Sequence, residues 1–203
     1  MALGLEPAGP VSRSALARME DRAAQGTGRA TAILGVAMVG WMFVMLALAS
    51  ISGLTGAGAD AEPASLGRGV TVTPAPGWSS AADVWEVGTN QVAYRRAGVI
   101  AAFAADAFGG GPDDLLAQQL DELERQFSSL QTLPPAPVTV AGGLPALRVL
   151  FTGVSSSGDL EGQVVAAADG GTGVVMLAVA PFGQFRRVQD EVDEMLASMV
   201  VPR

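Results

Sequence analysis

Between Arg29 and Asp60 the chain carries no charged residue, and inside that interval Ile33 to Leu54 reads ILGVAMVGWMFVMLALASISGL. A stretch of this length and polarity has few places to go. As a helix rising about 1.5 Å per residue it measures roughly 33 Å, enough to cross a hydrocarbon core of about 30 Å with some tilt. Its Ile, Leu, Val and Phe side chains together favour insertion by roughly 3 to 6 kcal/mol. The sequence therefore predicts one transmembrane helix over residues 31–54, in contact with the lipid bilayer through Ile33 to Leu54, with Trp41 near its middle.

Arginine placement orients that helix. Arg13, Arg18, Arg22 and Arg29 precede it, whereas the first stretch beyond it holds only Arg68, alongside Asp60 and Glu62. The positive-inside rule places the arm of residues 1–30 in the cytoplasm and the C-terminal part outside the plasma membrane. A cleaved signal peptide is the competing reading, because Ala57-Gly58-Ala59 and Ala59-Asp60-Ala61 are small-x-small sites. The apolar run and the arm before it are both longer than such peptides use. Ala49, Gly53 and Ala57 repeat at every fourth position, the spacing of helix-dimer seams, for which chance is the plainer account.

The residue types that are missing exclude more chemistry than any motif suggests. The chain has no Cys, His or Lys, and all 12 of its basic residues are Arg. Without His or Cys there is no Ser-His-Asp triad, thiol nucleophile, structural zinc site or ordinary haem ligation. Without Lys there is no Schiff base and no phosphate loop of the GK[ST] kind. Disulfides and a lipid-modified N-terminal Cys are excluded as well, which leaves the apolar helix as the visible anchor. A net charge of -8 and a pI near 4.4 argue against nucleic acid as a partner, since phosphate binding needs a clustered positive face. No cofactor is called for, and the sequence points to a protein that is not an enzyme.

Past the helix, residues 55–68, TGAGADAEPASLGR, read as a flexible linker, and residues 69–203 as one folded domain. Strands are expected at Gly69 to Thr73, Asp83 to Val87, Gln91 to Arg95 and Val99 to Ala105. Gly111-Pro112-Asp113-Asp114 opens a helix, with Pro in the first turn and carboxylates at the positive end of the dipole. Leu116, Leu120, Leu123, Phe127 and Leu130 supply its apolar stripe. Further strands are expected at Val138 to Ala141, Leu147 to Val154, Gly162 to Ala168 and Gly173 to Ala180. A last helix over Gln184 to Met199 places Val188, Val192, Met195 and Met199 on one face. The strands around Ala102 and Leu177 are apolar on both faces and need cover on both sides. The fold class is therefore α+β: a mostly antiparallel sheet flanked by two amphipathic helices, preceded by one transmembrane helix.

Several local sequences resemble the PsbP/Mog1-like domains, including the LpqN-type proteins of actinobacterial envelopes. They are VTVTPAPGW at Val70 to Trp78, GGLPALRVLFTG from Gly142, EGQVVAAADGGTGVVMLAVAP at Glu161 to Pro181, and the closing DEMLASMV. None is a catalytic signature. The resemblance implies an α/β/α sandwich acting as a binding or assembly module, and it carries no site residue with it. A spanning helix here replaces the lipidated Cys common in the lipoprotein members.

Five residues are candidate contacts for a ligand or partner. Trp78 follows a Pro-Gly turn, where an indole either stacks on a ligand or plugs one end of the core. Arg95-Arg96 and Arg186-Arg187 are the basic pairs of an acidic domain. They suit a carboxylate, a phosphate or anionic lipid, or else surface ion pairs, Arg186 with Asp190 and Arg187 with Glu191. Acidic runs at Asp113-Asp114, Asp121-Glu122-Glu124 and Asp190-Glu191-Asp193-Glu194 read as solvated helix faces before they read as a catalytic pair. The expected function is a membrane-anchored extracytoplasmic module that binds an envelope protein or small ligand. The alternatives are an envelope hydrolase using acidic residues, or a bitopic structural or sensing protein.

Overall fold

In the computed structural model the described residues are 62–82, 90–140, 143–156, 158–169 and 171–202. The expected arm, the membrane span and the strand at Asp83 to Val87 lie outside them. No helix among the described residues is long and apolar enough to cross a membrane.

The sheet is built around three strands that read as nearly continuous apolar runs: β5 (Val99–Ala107), β9 (Gly158–Asp169) and β10 (Thr172–Pro181). Successive side chains on a strand leave on opposite faces, so each run supplies two cores. Ala102, Ala104, Val175 and Leu177 face one way. Ala101, Phe103, Val174 and Met176 face the other. Further strands are β3 (Ser79–Ser80), β4 (Gln91–Arg96), β6 (Ser129–Thr132), β7 (Ala136–Val140) and β8 (Leu144–Ser155). The order across the sheet is β3-β4-β5-β10-β9-β8-β6, with β7 also on β8, and every pairing is antiparallel. Ala97 and Gly98 join β4 to β5 with φ of 50° and 80°, as a two-residue hairpin turn requires.

Helix α1 (Pro112–Gln126) opens as its sequence implies: the Gly111 N–H donates to Asp114 Oδ2 at 3.0 Å, and Asp113 and Asp114 occupy the first turn. It lays Leu115, Leu116 and Leu123 on one face of the sheet. The other face is covered by α2 (Gln189–Ser198) through Val192, Met195 and Leu196, together with the N-terminal segment. The fold is thus a mostly antiparallel sheet between two helical layers, as expected.

Strands β8 and β9 begin earlier than expected, at Leu144 and Gly158, and three other boundaries also differ. Residues 62–68 are part of the domain and not linker. Within them, β1 (Ala64–Ser65) pairs with β2 (Thr71–Val72), and Leu66 is completely buried. Arg68 also donates to Thr172 Oγ1 at 3.2 Å and to the Gly171 carbonyl at 3.1 Å. The single apolar side chain of Leu66, once covered, holds a stretch whose composition is otherwise that of a tether. The first helix stops at Gln126, and Phe127 turns to extended backbone (φ -92°, ψ 137°). Leu130 accordingly belongs to β6, because β7 pairs β8 only over Leu144 to Arg148 and the rest of that long edge needs a partner. The last helix begins at Gln189, after a 3-10 turn at Phe185–Arg187.

Candidate binding groove

Register places a grid of side chains on the α2 side of the sheet. Thr152 stands between Gln131 and Glu161, Val154 between Ser129 and Asp159, and Leu150 beside Gln163. Leu150 also accepts the Leu133 N–H at 2.9 Å, which brings Leu133 into the same row. Helix α2 covers the part of this grid around Gln163 and stops short of the rest. What it leaves open is two adjoining hollows. The first, about 320 Å³, lies among Leu133, Leu150, Phe185, Glu161, Arg186 and Gln189. The second, about 170 Å³, lies among Ser129, Val154, Asp159 and Phe182. Gln131 and Thr152 line both, so the two form one groove.

Among the described residues, the exposed large apolar side chains are Leu133 (59%), Val154 (43%), Phe182 (65%) and Val200 (52%). The first three rim this groove. Isolated exposed apolar groups are ordinary, but a set gathered at one concavity marks an interaction surface.

Polar bonds fix the wall of the groove that α2 supplies. Glu161 Oε1 accepts the Phe185 N–H at 2.7 Å and pins the turn that leads into the helix. Asp193 receives both arms of Arg148, at 3.1 and 3.2 Å, and the Gln163 Nε2 amide at 3.3 Å. Gln163 is fully buried, and its Oε1 has no hydrogen-bond partner among the described residues. Elsewhere on this face, burial raises the Tyr94 phenol above its ordinary value of 10.0.

The five sequence candidates are divided by the structure. Trp78 is completely buried, so it is a core plug, and its indole N–H donates to Glu191 Oε2 at 2.8 Å. Arg96 meets that same oxygen at 2.9 Å and donates to the Pro76 carbonyl at 2.7 Å. Glu191 therefore serves Trp78 and Arg96, not Arg187, because it faces the sheet. Arg95 and Arg96 are neighbours on β4 and leave it on opposite faces, which prevents a joint fork. Arg186 and Arg187 are exposed, and no carboxylate among the described residues lies within ion-pair distance of either. Of the five, Arg186 alone lines the groove. The sequence reading missed Leu133, Val154, Glu161, Phe182 and Phe185. Phe182 before Gly183 and Leu133 before Pro134-Pro135 carried a signal, large apolar residues at turns, but nothing in sequence separates these from core.

No known family profile matches the chain, and no curated protein matches it. Solved structures do. A Pseudomonas aeruginosa protein of unknown function, PA94, described as a putative regulator, is similar at 16% identity, over 52% of this chain and 73% of that one, with a TM-score of 0.43. LpqN of Mycobacterium tuberculosis, involved in cell envelope biogenesis, is similar at 13% identity over 70% of this chain and 90% of its own, TM-score 0.48. The cyanobacterial PsbP of Synechocystis is similar at 11% identity over 75% and 99%, TM-score 0.48. These last two are the kinds of PsbP/Mog1-like protein that the local sequences resemble, and the likeness is one of fold.

Proposed function

We propose that this chain is a binding module of the cell envelope. Ile33 to Leu54 holds it in the plasma membrane, its C-terminal domain lies outside, and it works through the groove between β6 and the Phe182–Arg186 turn rather than by catalysis. The observation that carries this reading is the gathering of Leu133, Val154 and Phe182 around one concavity that also contains Arg186, a guanidinium with no ion-pair partner among the described residues. Apolar walls with a few polar groups are what a binding site needs. A hydrolase built on the acidic runs has less support, since several of those carboxylates already hold the fold. Glu122 is buried and takes Arg125 and Gln126, Glu191 takes Trp78 and Arg96, and Asp193 takes Arg148 and Gln163.

Two experiments on the full chain in its native membrane test this. The chain lacks Cys, so a thiol introduced as Ser14→Cys or Ser128→Cys is unique. An impermeant maleimide should label the second from outside and the first only after lysis, and the reverse pattern would overturn the topology. A photo-crosslinking residue at Leu133 or Phe182 should capture an occupant, whereas the same residue at exposed Gln118 on α1 should not. Equal capture at all three positions, or none, would end the groove reading.

A further inference from the structure

We propose that the occupant of the groove is an extended peptide segment of another protein, which adds to β6 as a further strand. This deepens the proposed function and rests on the groove being the binding site. The argument begins with the sheet edge. The Leu133 N–H points into the sheet, to the Leu150 carbonyl, so in the antiparallel register Ser129 and Gln131 also turn their backbone groups toward β8. Leu130 and Thr132 turn theirs outward, and among the described residues β6 is the last strand on that side. The neighbouring part of the same edge is interrupted. In β7 the outward positions are Pro137, which has no N–H, and Thr139, and Pro134 and Pro135 separate β7 from β6. Proline on an edge is a usual guard against strand addition. Prolines thus leave β7 a single outward N–H, at Thr139, whereas β6 keeps two successive ones, at Leu130 and Thr132, beside the groove.

An added strand would satisfy those N–H and C=O groups with its own backbone. Its alternate side chains would fall next to Ser129, Gln131 and Leu133, over the two hollows. The hollows offer apolar walls at Leu133, Leu150, Phe182 and Val154, and amide and hydroxyl groups at Gln131 and Thr152. Arg186 and Glu161 border the first hollow and Asp159 the second; Glu161 Oε1 is already taken by the Phe185 N–H, and among the described residues Arg186 is the one cation lining either part. A segment that sets an acidic group beside Arg186 and a basic group beside Asp159 matches that placement, which fixes its direction.

The test uses the full chain in lipid nanodiscs, panned against a displayed library of random dodecapeptides. Enriched peptides should alternate apolar with polar residues. The best of them, synthesised, should lose about tenfold or more in affinity when the amides facing β6 are N-methylated, and a similar factor on Thr132→Pro, since each change removes edge hydrogen bonds. Arg186→Glu should weaken it further and select peptides of altered end charge. N-methylation acts on the peptide alone, so that arm stands even if Thr132→Pro disturbs the fold. Indifference to N-methylation, or no enrichment, would overturn the proposal. If Leu133 still captured a lipid, a small molecule or a second copy of this chain, the groove reading would survive and only the peptide would be lost. If it captured nothing, both would fail.

Discussion

The two faces of the sheet are closed in different ways. Under α1 apolar side chains make the contact with the sheet, Leu115, Leu116, Leu123 and Phe127 lying on Val149, Phe151, Leu160 and Val164, while buried Glu122 bonds to Arg125 and Gln126 of its own helix. The rings of Phe127 and Phe151 meet edge to face at 5.7 Å. Packing there is tight enough that a Cβ at Gly153 would run into Phe127, and one at Gly162 into the Ala178 carbonyl. Under α2 the apolar contact through Val192, Met195 and Met199 is joined by polar ties: Glu191 to Trp78 and Arg96, Asp193 to Arg148 and Gln163, and Ser198 to the Thr73 backbone at 2.9 and 3.0 Å. Apolar contact is non-directional, whereas a forked ion pair fixes where a helix sits. The face closed by polar ties is also the one left open at its end, and there the groove lies. One side of the sheet supplies stability, and the other supplies a wall of defined position.

Substitutions on the two faces should differ accordingly. Leu123 is completely buried under α1, and Leu123→Ala should cost roughly 3 kcal/mol, the transfer loss plus a cavity in a layer that cannot collapse. Chemical denaturation of the full chain in nanodiscs measures it. Asp193→Ala, under α2, should cost less, about 1 to 2 kcal/mol, because Arg148 and Gln163 lose their acceptor but Asp193 itself is partly solvated. Equal costs for the two would break the comparison.

A pH titration sharpens it on the α2 face, where the chain's one tyrosine lies. Tyr94 is raised above 10.0 by burial, so over the interval between the unfolded and folded values only the unfolded chain ionises. Its contribution to stability is complete below about pH 10 and is lost as pH rises through the folded value. The chain has no His, Lys or Cys, so no other side chain confuses that window short of Arg. Melting temperature should fall at alkaline pH in the parent and not in Tyr94→Phe, and identical profiles would contradict the burial.

The difference between the faces also explains how much was legible in the sequence. The centre of the sheet was readable because β5 and β10 are apolar on both faces, which obliges two covering layers. The start of α1 was readable because Gly111-Pro112-Asp113-Asp114 is a local cap that needs no tertiary partner. The end of α1 was not: Leu123, Phe127 and Leu130 keep helical spacing, and only the unpaired half of β8 makes Leu130 a strand residue. Leu66 was hidden in the same way inside a Gly- and Ala-rich stretch. The groove was the least legible. Its lining comes from β6, β8, β9 and a 3-10 turn, brought into one row by register, and Arg186 was singled out only for its charge.

Smaller effects test the orphaned amide. Gln163→Met keeps the volume and removes both the buried Oε1 without a partner and the donor to Asp193. One loss offsets the other, so stability should change by less than about 1 kcal/mol in either direction. A loss near that of Asp193→Ala would mean that the amide, not Arg148, carries the tie.

The smallest effect on stability should accompany the largest effect on binding. Leu133 and Phe182 are mostly exposed, so Leu133→Ser and Phe182→Ser remove little buried area, and each should leave stability within about 0.5 kcal/mol of the parent. On a face that existed only to close the core, such changes would be silent in every assay. Here they strip the apolar rim from the groove, and capture by the crosslinker at Gln131, which both hollows share, should fall sharply in either variant. If capture were unchanged while stability dropped, Leu133 and Phe182 would be structural cover, and the two faces of the sheet would differ only in how they are tied.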